Sequence, residues 1–437
     1  MQNKNKDQKL SWSITTKNVS QLLGASYNPR KMSESERRDL EDSIKNFGTV
    51  VPIVLNIGSR ENILIGGHAR ISIYADLGIE EIECMIPSRE LDENEEKELN
   101  LRLNKNTGSW DEELLKAFDL NMLLEVGFGD EELQNIFDDI DLAEDDFDLE
   151  KAIKATHIDK VKDGEIYELG ENRLLVGDST DEVKVKELMQ EDKADIVWMD
   201  PNYGIGLDYN KGLGGKSNYG GTLSSKDDSK PETEYSQFIN KSMEVAKKFV
   251  KDNSHWFYWS DPNSIGLIQS LYDKNKIEKR RVCLWIKSNQ NCTPKIAWNR
   301  LYEPCIYSTI GKPYLNNNFR NANEIFNQEV STGNQVLDEA GEMIDLWLVK
   351  RDNVQRYLHP TQKPVTLNEK PLKRCSAPGH IVFSGFAGSG SDLIACETLQ
   401  RKWRGVEKDP IFATIIIDRW EKFTGKTAKL LTNNKSN

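Results

Sequence analysis

From about residue 166 onward, short apolar runs alternate with longer stretches of helical period. The runs fall at residues 174–176, 194–199, 255–259, 282–286, 306–309, 381–383 and 403–406. Runs of this length, separated by helix-forming segments, predict a largely parallel sheet covered on both faces. Behind the run at 381–383, Phe386-Ala387-Gly388-Ser389-Gly390 reads as a tight turn. A helix over 392–399 follows it with its first amides free. The next strand ends on Glu407, about 20 residues beyond the glycines, where an acidic side chain meets ribose hydroxyls in dinucleotide-type folds. The strand at 194–199 ends on Asp200-Pro201-Asn202-Tyr203. The pattern is that of a nucleotide pocket with a polar tetrad on a nearby strand end.

Residues 11–125 predict a smaller α/β unit. Ser33 and Glu36 form a capping-box start, Leu40, Ile44 and Phe47 share one helical face, and Gly48 stops the helix. Strands at 53–55 and 63–65 precede Gly66-Gly67-His68-Ala69-Arg70, which opens a helix ending near Gly78; a strand at 82–86 and a polar helix from Glu93 follow. Residues 130–150 hold eleven acidic side chains and no basic one, so 126–160 reads as a solvated acidic linker ahead of a third segment, 161–430. The Gly-, Ser- and Lys-rich stretch 210–234 reads as a lid or an unstructured loop.

Charge changes the picture. Of the net −13, residues 1–150 carry 16 Lys and Arg against 33 Asp and Glu, whereas the remainder carries 42 against 38. The acidity therefore belongs to the N-terminal third and does not exclude a nucleic-acid partner for the rest. Residues 279–300 hold six basic side chains and no acidic one, interleaved with Trp285 and Trp298, which suits a nucleic-acid groove. The Asn-rich run at 316–323 lies in the segment 311–357, and Asn is the side chain that reads adenine edges bidentately. The polar start and the shortness of the longest apolar run, 411–417, predict a cytoplasmic protein with no membrane partner. Six cysteines without a Cys-x-x-Cys pair predict buried free thiols and no metal site, with Cys305 in the core.

Methylating an exocyclic amine requires its lone pair to be freed from the base ring. A rigid carboxylate beside a backbone carbonyl does this by accepting both N–H groups: Asp200 takes one and the carbonyl of Pro201 the other, while Tyr203 stacks on an extruded base. No nucleophilic cysteine is needed. The stretches Gly177-Asp178-Ser179, Asp200-Pro201-Asn202-Tyr203, His359-Pro360-Thr361-Gln362-Lys363-Pro364, Phe386-Ala387-Gly388-Ser389-Gly390 and Gly405-Val406-Glu407 span about 165–425. In this order they resemble the amino-methylating DNA methyltransferases of the permuted β-type, in the style of phage and prophage members.

The resemblance implies a Rossmann-like α/β sheet that uses S-adenosylmethionine. The methionine end would lie near Phe386, Ala387, Gly388, Ser389 and Gly390, the ribose on Glu407 and the adenine near Asp178, with His359 and Lys363 beside the pocket; 311–357, between the family's stretches, would read the target. An Asp-led tetrad implies adenine N6 in double-stranded DNA, as in restriction-modification; cytosine N4 is the alternative. Two departures, Asn202 for a second Pro and Ser384-Gly385 for Asp-Pro, imply a looser site and leave open a degenerate DNA-binding protein. Pro371 is expected to kink or split the helix that contains it. The N-terminal unit resembles the ParB-like, sulfiredoxin-related domain through Asn28-Pro29-Arg30, the 66–70 turn, Asn104-Lys105-Asn106 and Trp110-Asp111-Glu112. There Gly66, Gly67, His68 and Arg70 would hold nucleotide phosphates or DNA.

Overall fold

The computed structural model describes residues 10–32, 34–104, 109–137, 142–143, 145, 147–155, 161–202, 232–286, 302–316, 346–347 and 363–431. The chain divides into two compact units, Met1–Phe137 and Asp138–Asn437.

In the first unit, β1 (Trp12–Asn18), β3 (Ile53–Leu55), β4 (Leu64–Gly66) and β5 (Glu81–Pro87) form one sheet in the order β1-β5-β3-β4, and β2 (Arg30–Lys31) pairs with β6 (Ser109–Trp110). The helix Glu34–Phe47 buries Ile44 against Ile53, Leu55 and Tyr74, as its periodicity predicts. Phe47, expected on the same face, is 77% exposed: the helix ends there and its last turn overhangs the core.

The region read as an acidic linker from 126 carries structure. Helix Asp130–Phe137 buries Leu133, Ile136 and Phe137 against Leu101, Leu115 and Leu123, so the first unit extends past 125 to 137. Farther on, Leu142 joins the core of the second unit and helix Leu149–Ala155 packs there. In helix Asp130–Phe137, Glu131 and Glu132 face solvent while the apolar positions are buried, and a charge count alone does not see that division.

Among its described residues the second unit forms ten strands: β7 (Ile166–Leu169), β8 (Asn172–Val176), β9 (Ala194–Met199), β10 (Val250–Trp259), β11 (Glu278–Ile286), β12 (Tyr302–Ile310), β13 (Leu346–Trp347), β14 (Ile381–Ser384), β15 (Lys402–Glu407) and β16 (Lys429–Leu430). Their order is β13-β11-β12-β10-β9-β14-β15-β8-β7-β16. The centre, from β10 to β8, is parallel, whereas β12 and β7 run antiparallel to their inner neighbours.

The central strands are buried on both faces, which is why they read as unbroken apolar runs. Along β9, Ile196 and Trp198 join one core while Val197 and Met199 join the other; along β10, Phe257 and Trp259 oppose Trp256 and Tyr258. Helices Ser391–Thr398 and Pro410–Thr424 cover the first face. Helices Glu182–Met189, Glu232–Lys248 and Ile265–Lys274 cover the second. Pro371 is the third residue of helix Glu369–Cys375, directly behind the short 3-10 turn Val365–Asn368. The segment is thus split, and the proline occupies the first helical turn, where a missing N–H removes no intrahelical bond. The described cysteines are buried free thiols. No helix among the described residues is long and apolar enough to cross a membrane.

Candidate active site

The chain runs from β9 outward to β10 on one side, and from β14 to β15 on the other. The sheet therefore reverses its winding between β9 and β14, and a crevice opens beyond their carboxyl ends. Asp200 follows β9 on one side of it; the 385–390 turn follows β14 on the other. The turn is tied to both neighbours, since Gly385 N–H donates to Trp198 O at 3.2 Å and Ala387 N–H to Val406 O at 3.0 Å.

On the Asp200 side, Pro201 is buried and Asn202 exposed. The Lys363 ammonium lies 2.6 Å from Asp200 Oδ1 and 2.9 Å from Glu303 Oε1, and 4.6 Å above the Trp259 ring. Its side chain is only 8% exposed. Burial alone would lower the Lys363 pKa, but Asp200 and Glu303 outweigh it and hold the ammonium above the ordinary lysine value. Lys363, expected beside the cofactor, thus reaches the tetrad carboxylate.

On the opposite side, β15 ends with Glu407 in register with Val176 of β8, which brings Asp178 and Glu407 to adjacent strand ends. Glu407 Oε2 accepts the Gly388 N–H and Oε1 the Asp409 N–H, both at 2.8 Å. Burial pushes its pKa up to about 7, against the pull of those two amides. Asp178 is raised by burial but lowered more by the Thr180 hydroxyl and amide and by Lys408, 3.2 Å away, so it stays below the usual carboxylate range. Gly388 has a positive φ, and a Cβ there would meet no atom of the described residues within 4 Å. Gly390, at φ 77°, caps the following helix, and its α-carbon packs toward Ile416.

The turn is held from behind by a buried cation that the sequence reading did not single out. Arg419 donates to Ser389 O at 2.8 Å and makes a two-pronged pair with Asp145 at 2.6 and 2.7 Å, with Phe147 stacked 4.2 Å from the guanidinium. Glu303 was missed as well; its signal is a lone acid at the head of the apolar strand it shares with Cys305. Gly385 has a structural role in the turn. Its N–H is in use, which a proline would forbid, and a Cβ there would collide with the Met199 sulfur. Tyr203, His359, most of 210–234, residues 287–300 and nearly all of the expected target-reading segment lie outside the described residues.

In the first unit, Gly67 caps helix His68–Asp76 at φ 96°. His68 Nε2 accepts the Ala25 N–H at 3.1 Å, and burial lowers its pKa to about 4. Arg70 donates to Val51 O. Both side chains expected to face phosphate are engaged with their own unit.

The DNA methylase family profile matches residues 194–418, and that of the ParB N-terminal domain matches residues 3–106. Among characterised relatives, the Type II methyltransferase M2.DpnII of Streptococcus pneumoniae is 23% identical over 57% of this chain and 90% of its own. M2.LlaDCHI of Lactococcus lactis subsp. cremoris is 22% identical over 58% and 90%. A putative DNA modification methylase from Thermus thermophilus, solved with S-adenosyl-L-methionine, is 16% identical with a TM-score of 0.40, covering 59% of this chain and 96% of its own. The profile match spans the crevice and both its walls, and the chain belongs to the DNA methylase family of N6- and N4-amino methyltransferases, with a ParB-type domain preceding it in sequence.

Proposed function

We propose that this protein is a site-specific DNA methyltransferase acting on adenine N6 in double-stranded DNA, with S-adenosylmethionine as methyl donor. The observation that carries the assignment is the placement of Asp200 across the switch-point crevice from the Gly388 turn and the Glu407 carboxylate. The cofactor fits what is present: Glu407 accepts ribose hydroxyls, Asp178 lies at the next strand end for the base, and the residues Phe386, Ala387, Gly388, Ser389 and Gly390 offer backbone without a side chain in the way at Gly388. When bound, it supplies a methyl group made electrophilic by a sulfonium.

The chain's residues do the rest by orientation. Asp200 accepts one N–H of the flipped base and the Pro201 carbonyl the other, which turns the nitrogen lone pair out of the ring plane, and Tyr203 stacks on the base. The Asp200 charge then opposes the positive charge that grows on nitrogen. The Asp-led tetrad supports adenine over cytosine. In the first unit, the Gly66-Gly67 turn with His68 and Arg70 is assigned to nucleotide phosphates or DNA, Arg70 exchanging the Val51 carbonyl for the anion.

Labelled cofactor and mixed-sequence DNA test the assignment. The wild type yields labelled N6-methyladenine, and Asp200→Ala slows transfer by roughly 1000-fold while cofactor affinity stays within a few fold. Labelled N4-methylcytosine would reassign the base. Full transfer by the Asp200→Ala protein would reject the site.

A further inference from the structure

Asp200, Trp259 and Glu303 come from three neighbouring strands, β9, β10 and β12, and Lys363 comes from a distant part of the chain to join them. The carbonyl of Lys363 accepts the Ser391 hydroxyl at 2.7 Å, in the first turn of the helix behind the glycine turn. One residue therefore ties the two walls of the crevice together: its main chain belongs to the cofactor wall and its ammonium to the target wall.

The charge count explains why two acids are present. An ammonium 2.6 Å from Asp200, acting alone, would cancel the negative charge that has to meet a developing cation. Glu303, 2.9 Å from the same ammonium, restores a net single negative charge to the group. The lysine also cannot swing away, because it is buried against the Trp259 face.

We propose that Lys363 and Glu303 are positioning residues for methyl transfer. Lys363 fixes the rotation of the Asp200 carboxylate through Oδ1, and Glu303 offsets the lysine's charge so that Asp200 keeps its pull on the reacting nitrogen. The proposal rests on the assignment of Asp200 given above and adds two residues to it; it moves Lys363 from cofactor contact to support of the tetrad.

Three full-length variants test it, each assayed by single-turnover methyl transfer at saturating cofactor and DNA, by calorimetric cofactor binding and by pH–rate profile. Lys363→Met slows transfer by about 100-fold, with cofactor affinity within about threefold, and Lys363→Arg recovers part of the rate. The acidic limb of the profile moves to higher pH in Lys363→Met, because the carboxylate loses its cation, and to lower pH in Glu303→Gln, because the lysine loses its second acid. Glu303→Gln slows transfer by about tenfold.

Opposite movements of the two limbs are not produced by general loosening of the fold. A Lys363→Met protein with a normal saturated rate and a weakened cofactor dissociation constant would overturn the proposal, as would limbs that stay in place. If Lys363→Met does not fold, the nearly isosteric Glu303→Gln decides alone: an unmoved limb rejects the role. Asp200→Ala in parallel separates the two claims, since inactivity there with unimpaired Lys363→Met and Glu303→Gln sinks only this inference, whereas activity there sinks the site assignment itself.

Discussion

Two of the described glycine turns join a strand to a helix, and they differ in what the turn backbone meets. In the first unit, β4 passes through the single residue Gly67 into helix His68–Asp76; in the second, β14 and helix Ser391–Thr398 are separated by six residues. Both helices are capped by a glycine in the left-handed region, at φ 96° and 77°. The short turn is packed from inside: a Cβ on Gly67 would collide with Ile53, and His68 and Arg70 bond the unit's own backbone. The long turn holds Gly388 clear of the described residues, takes a carboxylate from the adjacent strand and is braced from behind by Arg419. A left-handed glycine at a helix start therefore presents free backbone where the chain spends residues on getting it away from its own core, whereas at the short turn a ligand has first to displace contacts such as that of Arg70 with Val51.

The brace is where the contrast is widest. Arg419 is 2% exposed and Asp145 12%, so Asp145→Ala strands a buried guanidinium. The expected loss is about 3–5 kcal/mol in the stability of the second unit, read by thermal unfolding, together with weaker cofactor binding as Ser389 is released. No change in either would mean that the brace does not hold the turn. Next comes Glu407→Ala, which removes a charged acceptor and should weaken cofactor binding by about 2 kcal/mol, roughly 30-fold by calorimetry. The matching change at the short turn, Gly67→Ala, should leave cofactor affinity untouched and instead destabilise the first unit by about 2 kcal/mol, since both the backbone and Ile53 must shift. Gly390→Ala should cost about 1 kcal/mol, because the added methyl comes 3.2 Å from Ile416 and the strain is mainly in the backbone.

Much of this architecture was legible in the chain. The strand at 194–199 and that at 53–55 have the predicted bounds, because each is a short apolar run whose neighbours cannot continue it. β10 begins five residues earlier than its apolar run, since Val250 pairs with Ala194 and a register shift with exposed side chains at 251–253 follows before His255. β7 and the edge strands β13 and β16 escaped the reading because they are short and two of them are partly polar. The same holds at the site. The tetrad, the glycine turn and Glu407 are contiguous motifs, whereas the Lys363–Asp200 pair joins residues 163 apart and the Arg419–Asp145 pair residues 274 apart. Such partners depend on which strand ends the topology brings together, and a local pattern carries no record of that.

An effect graded with pH distinguishes the two turns by their titration. With a pKa of about 7 in the free protein, Glu407 is largely protonated at pH 6 and largely ionised at pH 8, and ribose hydroxyls prefer the ionised form as acceptor. Cofactor affinity should therefore rise with pH through the neutral range, by roughly tenfold between about pH 6 and pH 8, and level off above it, with one proton released on binding. In the free protein the sign is opposite. An acid whose folded pKa lies above its ordinary value of 4.5 favours the fold at low pH, and that contribution is lost as pH rises from about 4.5 to about 7. The melting temperature should fall across this window and be restored by cofactor. Burial lowers the His68 pKa from 6.5 to about 4, so the first unit has a step of the opposite sign, its stability rising with pH between those two values and level above them. Calorimetry at several pH values on the wild type and Glu407→Gln checks the account: a slope in the first and a flat line in the second are expected, and equal slopes would show that the proton belongs to another group.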